Sequence, residues 1–265
     1  MKFDVDLCKR LEEAEAFGLR SAITYAMQTF PDRGIALEEI AGATVAYCGP
    51  RSPFNQASGI GVRCSVTDDD VDRIIAFYHS HGETARVEVS PVADAKLPAK
   101  LARRGFILAD YENALVADLT EICGRRDSRI EVCRDADAWS YASALSFSDS
   151  EEPEEQLRFI GILMATHPDV TPLALREAGK IVTTACLGTE MDGIAGFFAT
   201  STMPHARGKG YQSAIIGDRI ARAQEMGKTL ARATAKVGSA SERNFRRFGF
   251  TPVFTRTSWV LQAPA

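Results

Sequence analysis

Residues 200–226, TSTMPHARGKGYQSAIIGDRIARAQEM, constrain the fold of this chain more than any other stretch. A β-type run from Gly196 to Thr202 meets Pro204, then a basic glycine turn, Arg207-Gly208-Lys209-Gly210, and then an amphipathic helix. Glycine lets the backbone turn tightly and leaves room for close approach. The first N–H groups of a helix lack intrahelical acceptors, and the helix dipole adds positive character at the same place. Strand, glycine turn and helix N-terminus together describe a site for a phosphate-bearing ligand. The alternative is a ligand-free turn. Two familiar phosphate patterns do not fit. A P-loop, GxxxxGK[ST], needs Ser or Thr after its Gly-Lys pair, whereas Gly208-Lys209 is followed by Gly210. A dinucleotide GxGxxG fails because Ser213 stands in place of its last glycine.

The 265 residues suit two domains of about 130 residues each. No apolar run is long enough to cross a bilayer. The leading segment, MKFDVDLCKRLEEAE, is acidic and amphipathic and lacks a signal-peptide core. Six cysteines are scattered without a CxxC pair, so reduced, mostly buried thiols of a cytoplasmic protein are expected, and no metal site. The net charge is −4, but from Met203 onward eleven Lys and Arg face three acidic residues. That segment balances at +8 and leaves −12 for the first 202 residues. A local basic balance points to an anionic ligand. Nucleic acid is the competing explanation, ranked lower because the basic residues are dispersed and the rest of the chain repels a polyanion. No membrane partner is expected, and nothing in the sequence sets the oligomeric state.

Apolar spacing predicts a helix over 7–28, ended by Pro31 and Gly34, then a strand over 42–48 and a turn-rich segment, Gly49 to Gln56. A strand is expected from Gly59 to about Val66 and a helix after the capping residues Thr67 and Asp68, stopped by Gly82. A strand over 86–89, a helix over 96–104 and a strand from Gly105-Phe106 to about Asp118 close the first half. The second half begins near Ser128. It reads as a strand over 130–133, a helix over 136–147, and a helix with an acidic start at Ser150 to Glu155, interrupted by Pro168 and Pro172. Strands over 181–187 and 194–202 flank a turn at Glu190-Met191-Asp192-Gly193. After the glycine turn and its helix come a strand over 230–236, a short helix over 241–247, and a last strand from Gly249-Phe250 to about Leu261.

The two halves repeat the same order, and their endings match: Arg103-Arg104-Gly105-Phe106 and Arg247-Phe248-Gly249-Phe250. This is a weak internal repeat of about 130 residues.

The glycine turn, taken with Met203-Pro204 before it and Ser239-Ala240-Ser241-Glu242-Arg243-Asn244 ahead of Gly249-Phe250, resembles the acetyl-CoA loop of the GCN5-related N-acetyltransferases, [RQ]xxGx[GA]. Arg207 and Gly210 match that pattern; Gln212 stands where Gly or Ala is usual, a variant that resembles a bacterial subgroup. The whole chain resembles a tandem member of that superfamily, with the active-type loop in the C-terminal half only. At the equivalent place the N-terminal half has Ser65-Val66-Thr67-Asp68-Asp69-Asp70, whose carboxylates would repel a pyrophosphate.

The resemblance implies an α/β fold with a mixed sheet (α+β) in two such domains in tandem. Each would be a mostly antiparallel central sheet flanked by helices. Residues 1–127 would form a degenerate domain without the phosphate loop, and residues 128–265 the acetyl-CoA-binding domain. It implies acetyl-CoA as co-substrate and direct attack by an amine on the thioester. N–H groups of Gly208, Lys209, Gly210, Tyr211 and Gln212 would cradle the pyrophosphate. Arg207 and Lys209 would bring charge, with bracing of the loop an alternative for Arg207. Backbone groups near Ser201, Thr202 and Met203 would pair with the pantetheine arm. Ser241 or Asn244 would hydrogen-bond the pantetheine or its phosphate, or simply cap a helix. Tyr211 reads as packing at the helix start.

No general acid or base emerges. Many members carry a tyrosine four residues before the Gly-Phe glycine, and here that position is Phe245. Ser239, Ser241, water or orientation alone remain open as substitutes. Glu190 and Asp192 lie in a turn, and the four histidines lack ligand spacing. The segment Gly49 to Asn55 is either an acceptor loop or a structural turn. The leading expectation is an N-acetyltransferase acting on an amine of a small molecule, amino acid or peptide. A non-catalytic acyl-CoA-binding protein is the alternative, supported by Phe245.

Overall fold

Two alanine-glycine pairs set the plan of the chain. Ala41-Gly42 and Ala178-Gly179 both have left-handed backbones, with φ of 48° and 77° and of 50° and 79°. Two consecutive left-handed residues match the twist of a tight β-hairpin. Each pair therefore joins two antiparallel strands: β1 (Ala36–Ile40) with β2 (Ala43–Tyr47), and further on Val170–Glu177 with Lys180–Thr189.

The computed structural model describes residues 4–148, 152–189 and 193–262. Its contacts group the chain into two units, Met1–Ala114 with Val253–Ala265, and Leu115–Pro252.

The first unit opens with α1 (Val5–Thr29), whose N-terminus is capped by Asp4 accepting from Leu7 N–H at 2.8 Å. Leu7, Leu11, Ala14, Leu19 and Ile23 form its buried stripe. After the β1–β2 hairpin come β3 (Ala57–Ser58), α2 (Asp68–Ser80), β4 (Arg86–Val89), α3 (Leu97–Arg103) and β5 (Phe106–Asp118). Strand β3 pairs antiparallel with β2 and parallel with β4. The expected strand from Gly59 to Val66 is not present. Gly59 and Gly61 have φ of 84° and 68°, and Gly61 N–H donates to Ala41 O, which turns the chain instead of extending it.

The second unit contains β6 (Ile130–Val132), α4 (Ala136–Phe147), α5 (Glu155–Thr166), β7 (Val170–Glu177), β8 (Lys180–Thr189) and β9 (Ile194–Thr202). Helix α6 (Tyr211–Glu225), β10 (Leu230–Lys236) and α7 (Ala240–Arg247) follow. Strands β6 to β9 are antiparallel neighbours, and β10 joins β9 in parallel after the α6 crossover. The order antiparallel, antiparallel, then parallel across a helix is the one seen from β1 to β4. Pro172 sits inside β7, where its carbonyl still accepts from Cys133 N–H at 2.9 Å. The expected acidic helix start at residues 150–151 and the turn residues 190–192 lie outside the described residues.

Strand β11 (Thr251–Leu261) follows the second unit in sequence, yet Thr257 to Val260 pair antiparallel with β4 in the first. Leu115, Ala117 and Leu119 belong to the second unit's core with Phe197, Ile216 and Phe245. The sequence-based halves, 1–127 and 128–265, therefore differ from the contact units at both cuts. Both Gly-Phe endings have the same geometry: Gly105 and Gly249 each have φ of 85°, and Phe106 and Phe250 are buried.

Candidate functional site

In the second unit β9 and β10 part company. Their parallel ladder covers four pairs, from Ile194↔Leu230 to Phe197↔Ala233, while the strands run on to Thr202 and Lys236. Across β9 the antiparallel ladder with β8 is interrupted between Thr184↔Ser201 and Cys186↔Phe198. Ala199 sits in that interruption with φ of 49°. A bulge of this kind bends a strand and frees its backbone groups. The result is a slot between two parallel strands, with no ladder pair between β9 and β10 beyond Phe197↔Ala233 among the described residues.

The glycine turn lies at the end of β9. Pro204 to Ala206 form one 3₁₀ turn, and Met203 N–H is held by Val182 O at 2.9 Å. Gly208 and Gly210 both have φ of 78°, and a Cβ at either would meet no atom within 4 Å. Both glycines thus face open space. Gly210 is the N-cap of α6, and no side chain caps that helix. Among the described residues, none supplies an acceptor to the N–H groups of residues 208–213. A helix start left open in this way accepts an anion through backbone N–H groups and dipole together.

The charged residues of the turn are already engaged. Arg207 donates from Nε to Thr202 O at 3.1 Å and from Nη2 to Ser146 O at 3.4 Å, so it braces the turn against β9 and the end of α4. Lys209 Nζ reaches both oxygens of Glu177 at 2.9 Å, and the Tyr211 hydroxyl donates to the same carboxylate at 3.1 Å. Those bonds from Lys209 and Tyr211 hold the Glu177 carboxyl below its usual range. Thr202 carries its hydroxyl toward Thr183 at 3.3 Å.

Gln212, the departure from the usual pattern, bridges α6 to α7. Its Oε1 accepts from Asn244 Nδ2 at 2.5 Å, and its Nε2 lies 3.5 Å from Ser241 Oγ. Neither Ser241 nor Asn244 caps α7; that part is played by Ser239, which accepts from Glu242 N–H at 3.1 Å. Gln212, Ser241 and Asn244 are thus brought together beside the open helix start. Phe245 is buried at the tyrosine position, 4.9 Å from the Phe250 ring.

The corresponding helix start in the first unit is closed. Thr67 accepts from Asp70 N–H at 3.1 Å, and Asp70 accepts from Thr67 N–H at 2.8 Å, a reciprocal capping box. Asp68 and Asp72 are held by Arg104, with Asp68 also held by Arg103. At the start of α2 the N–H groups of Thr67 and Asp70 are satisfied internally, and three carboxylates, Asp68, Asp69 and Asp70, stand in its first turn.

Glu177 and Arg219 belong to the site's surroundings and carry no motif. Glu177 lies at the end of an unanticipated strand. Arg219 had a signal: it falls on the same helical face as Ile215, Ile216 and Ala223, a core stripe in which a cation is out of place. His205, near the loop in sequence, is exposed.

No protein-family model matches the chain, and no curated protein matches it. Solved structures do. A GCN5-related N-acetyltransferase from Kribbella flavida aligns with a TM-score of 0.65 at 17% identity, over 92% of this chain and 96% of that one. A tandem protein of the same superfamily from the clavulanic acid biosynthesis pathway aligns at 0.62 and 13% identity, over 97% and 95%. A third such enzyme, from Sphaerobacter thermophilus, aligns at 0.56 and 12%, over 94% and 92%. At these identities the likeness shows the fold, which is that of the GCN5-related N-acetyltransferases over nearly the whole chain.

Proposed function

We propose that this protein is an acetyl-CoA-dependent N-acetyltransferase with a single acyl-CoA site, in the unit Leu115–Pro252. The observation that carries this reading is the uncapped start of α6, with no acceptor for the N–H groups of residues 208–213 among the described residues. The pyrophosphate of acetyl-CoA would lie on those N–H groups. The pantetheine arm would enter the slot where β9 and β10 diverge and pair with backbone near Thr202 and Met203. Gln212, Ser241 and Asn244 would form the polar rim beside it. Arg207 acts by shaping the turn, and Lys209 shares its charge between Glu177 and the incoming phosphates.

The reaction is direct attack by a substrate amine on the thioester carbonyl, both partners bound at once. Holding them in attack geometry accounts for about 7–11 kcal/mol of barrier reduction in well-oriented systems. The acidic balance of the first 202 residues favours a cationic acceptor: an amine of a small molecule, an amino acid or a peptide. Among the described residues no cysteine is in a disulfide, and we place the protein in the reducing cytoplasm.

Isothermal titration with acetyl-CoA, on the natural chain and on Gly210→Glu, tests the reading. Micromolar binding that the variant loses is expected, because a carboxylate at the helix start opposes the pyrophosphate. Absence of binding to the natural chain sinks the proposal. Binding with no thiol release across a panel of amines leaves an acyl-CoA-binding protein without transferase activity.

A further inference from the structure

Arg219 is fully buried on α6, yet among the described residues its guanidinium has one hydrogen-bond acceptor. Nη1 donates to Cys186 O at 3.1 Å, and Nε and Nη2 have no partner. Asp218, its neighbour in sequence, is engaged elsewhere, by Arg126, Arg222 and the Asp127 N–H. The other neighbours are aromatic. The guanidinium carbon lies 4.6 Å from the centre of the Phe197 ring and 5.8 Å from that of Phe245. Both have meaning for the site. Phe197 is the last residue of β9 in the ladder before the slot opens, and Phe245 fills the tyrosine position.

A buried cation that forms no ion pair among the described residues is costly, and the field of Asp218 and contact with aromatic faces recover only part of that cost. Burial pulls the Arg219 pKa down to about 9, so the group is still charged at neutral pH. Its field is less screened than that of a surface charge, because the side chain is fully buried. The charge packs against Phe197, the last residue of the β9–β10 ladder, at the end from which the slot opens.

We propose that Arg219 stabilises the departing CoA thiolate through this field, in place of the proton that a tyrosine would donate. The inference rests on the acyl-CoA reading above. The amine nitrogen bonds to the thioester carbon, and the C–S bond breaks with its electron pair on sulfur. The ammonium proton passes to water, and the thiolate later takes a proton from water. Arg219 is a positioning residue in this scheme, acting across Phe197 and Phe245 without touching the sulfur. Preorganised charge of this kind is effective because it needs no reorganisation during the step.

The test uses free CoA bound to the full chain and follows ionisation of its thiol by the ultraviolet absorbance of the thiolate as pH rises. Variants Arg219→Met and Arg219→Gln remove the charge, and Arg219→Lys restores it. Gln keeps an amide donor for Cys186 O, which guards the fold. The thiol bound to the natural chain and to Arg219→Lys is expected to ionise at least about one pH unit below that bound to either neutral variant. Turnover in the neutral variants is expected to fall about 100-fold with the KM for acetyl-CoA little changed. The same thiol pKa in all four proteins overturns the inference while leaving acyl-CoA binding intact. No CoA binding by the natural chain overturns both.

Discussion

Asn244 donates from Nδ2 to Gln212 Oε1 across 2.5 Å, which ties the first turn of α6 to the middle of α7. The bond gives Gln212 a role at the position where it departs from the loop pattern that the sequence resembles. Asn244→Ala and Gln212→Ala are each expected to cost about 1 kcal/mol of stability, the worth of one partly buried hydrogen bond. The double variant should cost less than the sum. Urea unfolding of the four proteins measures that coupling, and strict additivity would show that the bond contributes nothing.

Gly210 separates geometry from charge. A Cβ there meets nothing, so Gly210→Ala suffers only the strain of φ at 78°. The expected loss is about 1–2 kcal/mol of stability with acetyl-CoA binding retained. Titration of Ala and Glu variants side by side checks this: if Ala abolishes binding as Glu does, the charge argument fails.

Glu177 competes with phosphate for Lys209. Glu177→Gln is expected to tighten acetyl-CoA binding several-fold at low salt by releasing the lysine, and the gain should shrink as salt screens the exposed charges. Lys209→Ala leaves the carboxylate beside the turn and should weaken binding. The bonds from Lys209 and Tyr211 depress the Glu177 carboxyl in the folded protein. Its stabilising contribution is therefore present above the ordinary glutamate value and is lost as pH falls through the depressed one. Thermal melts of natural chain and Glu177→Gln between pH 7 and pH 3 should converge at the acidic end.

Much of this was legible in the sequence. Helices announced themselves by apolar stripes and caps: Ala136–Phe147 was read to the residue, and so were the strands Ile194–Thr202 and Leu230–Lys236. The glycine turn was also legible, because an open helix start needs the residue types seen at 207–210. What escaped, besides the two-residue β3, was β1 and β7. Each leads into an Ala-Gly turn, where an Asn-Gly or Asp-Gly signal would be expected for two left-handed residues. Pro172 further disguised β7, since proline gives no ladder donor. The pairing of β11 with β4 was beyond reach, because nothing in the local pattern of residues 251–261 specifies a partner more than 160 residues earlier.

Two buried arginines give opposite expectations. Arg256 in the first unit lies within 4 Å of Glu12, Glu15, Glu88 and Glu112, with Glu12 and Glu88 almost wholly buried. Arg256→Met strands those carboxylates, and the expected cost is about 3–5 kcal/mol. Burial already raises the Glu112 carboxyl, against the pull of Arg256. Without the arginine the Glu112 carboxyl should rise further. A folded pKa above the unfolded one stabilises below it, so the deficit of Arg256→Met should narrow as pH falls from 7 toward 5. Among the described residues Arg219 pairs with no carboxylate, and the nearby Asp218 keeps Arg126 and Arg222. Arg219→Met forfeits one bond to Cys186 O, worth about 1 kcal/mol, and removes an uncompensated buried charge, so its stability should be unchanged or about 1–2 kcal/mol higher. Chemical denaturation of both variants decides the matter. Equal destabilisation would mean that Arg219 is a structural element of the core and not a charge held there for chemistry.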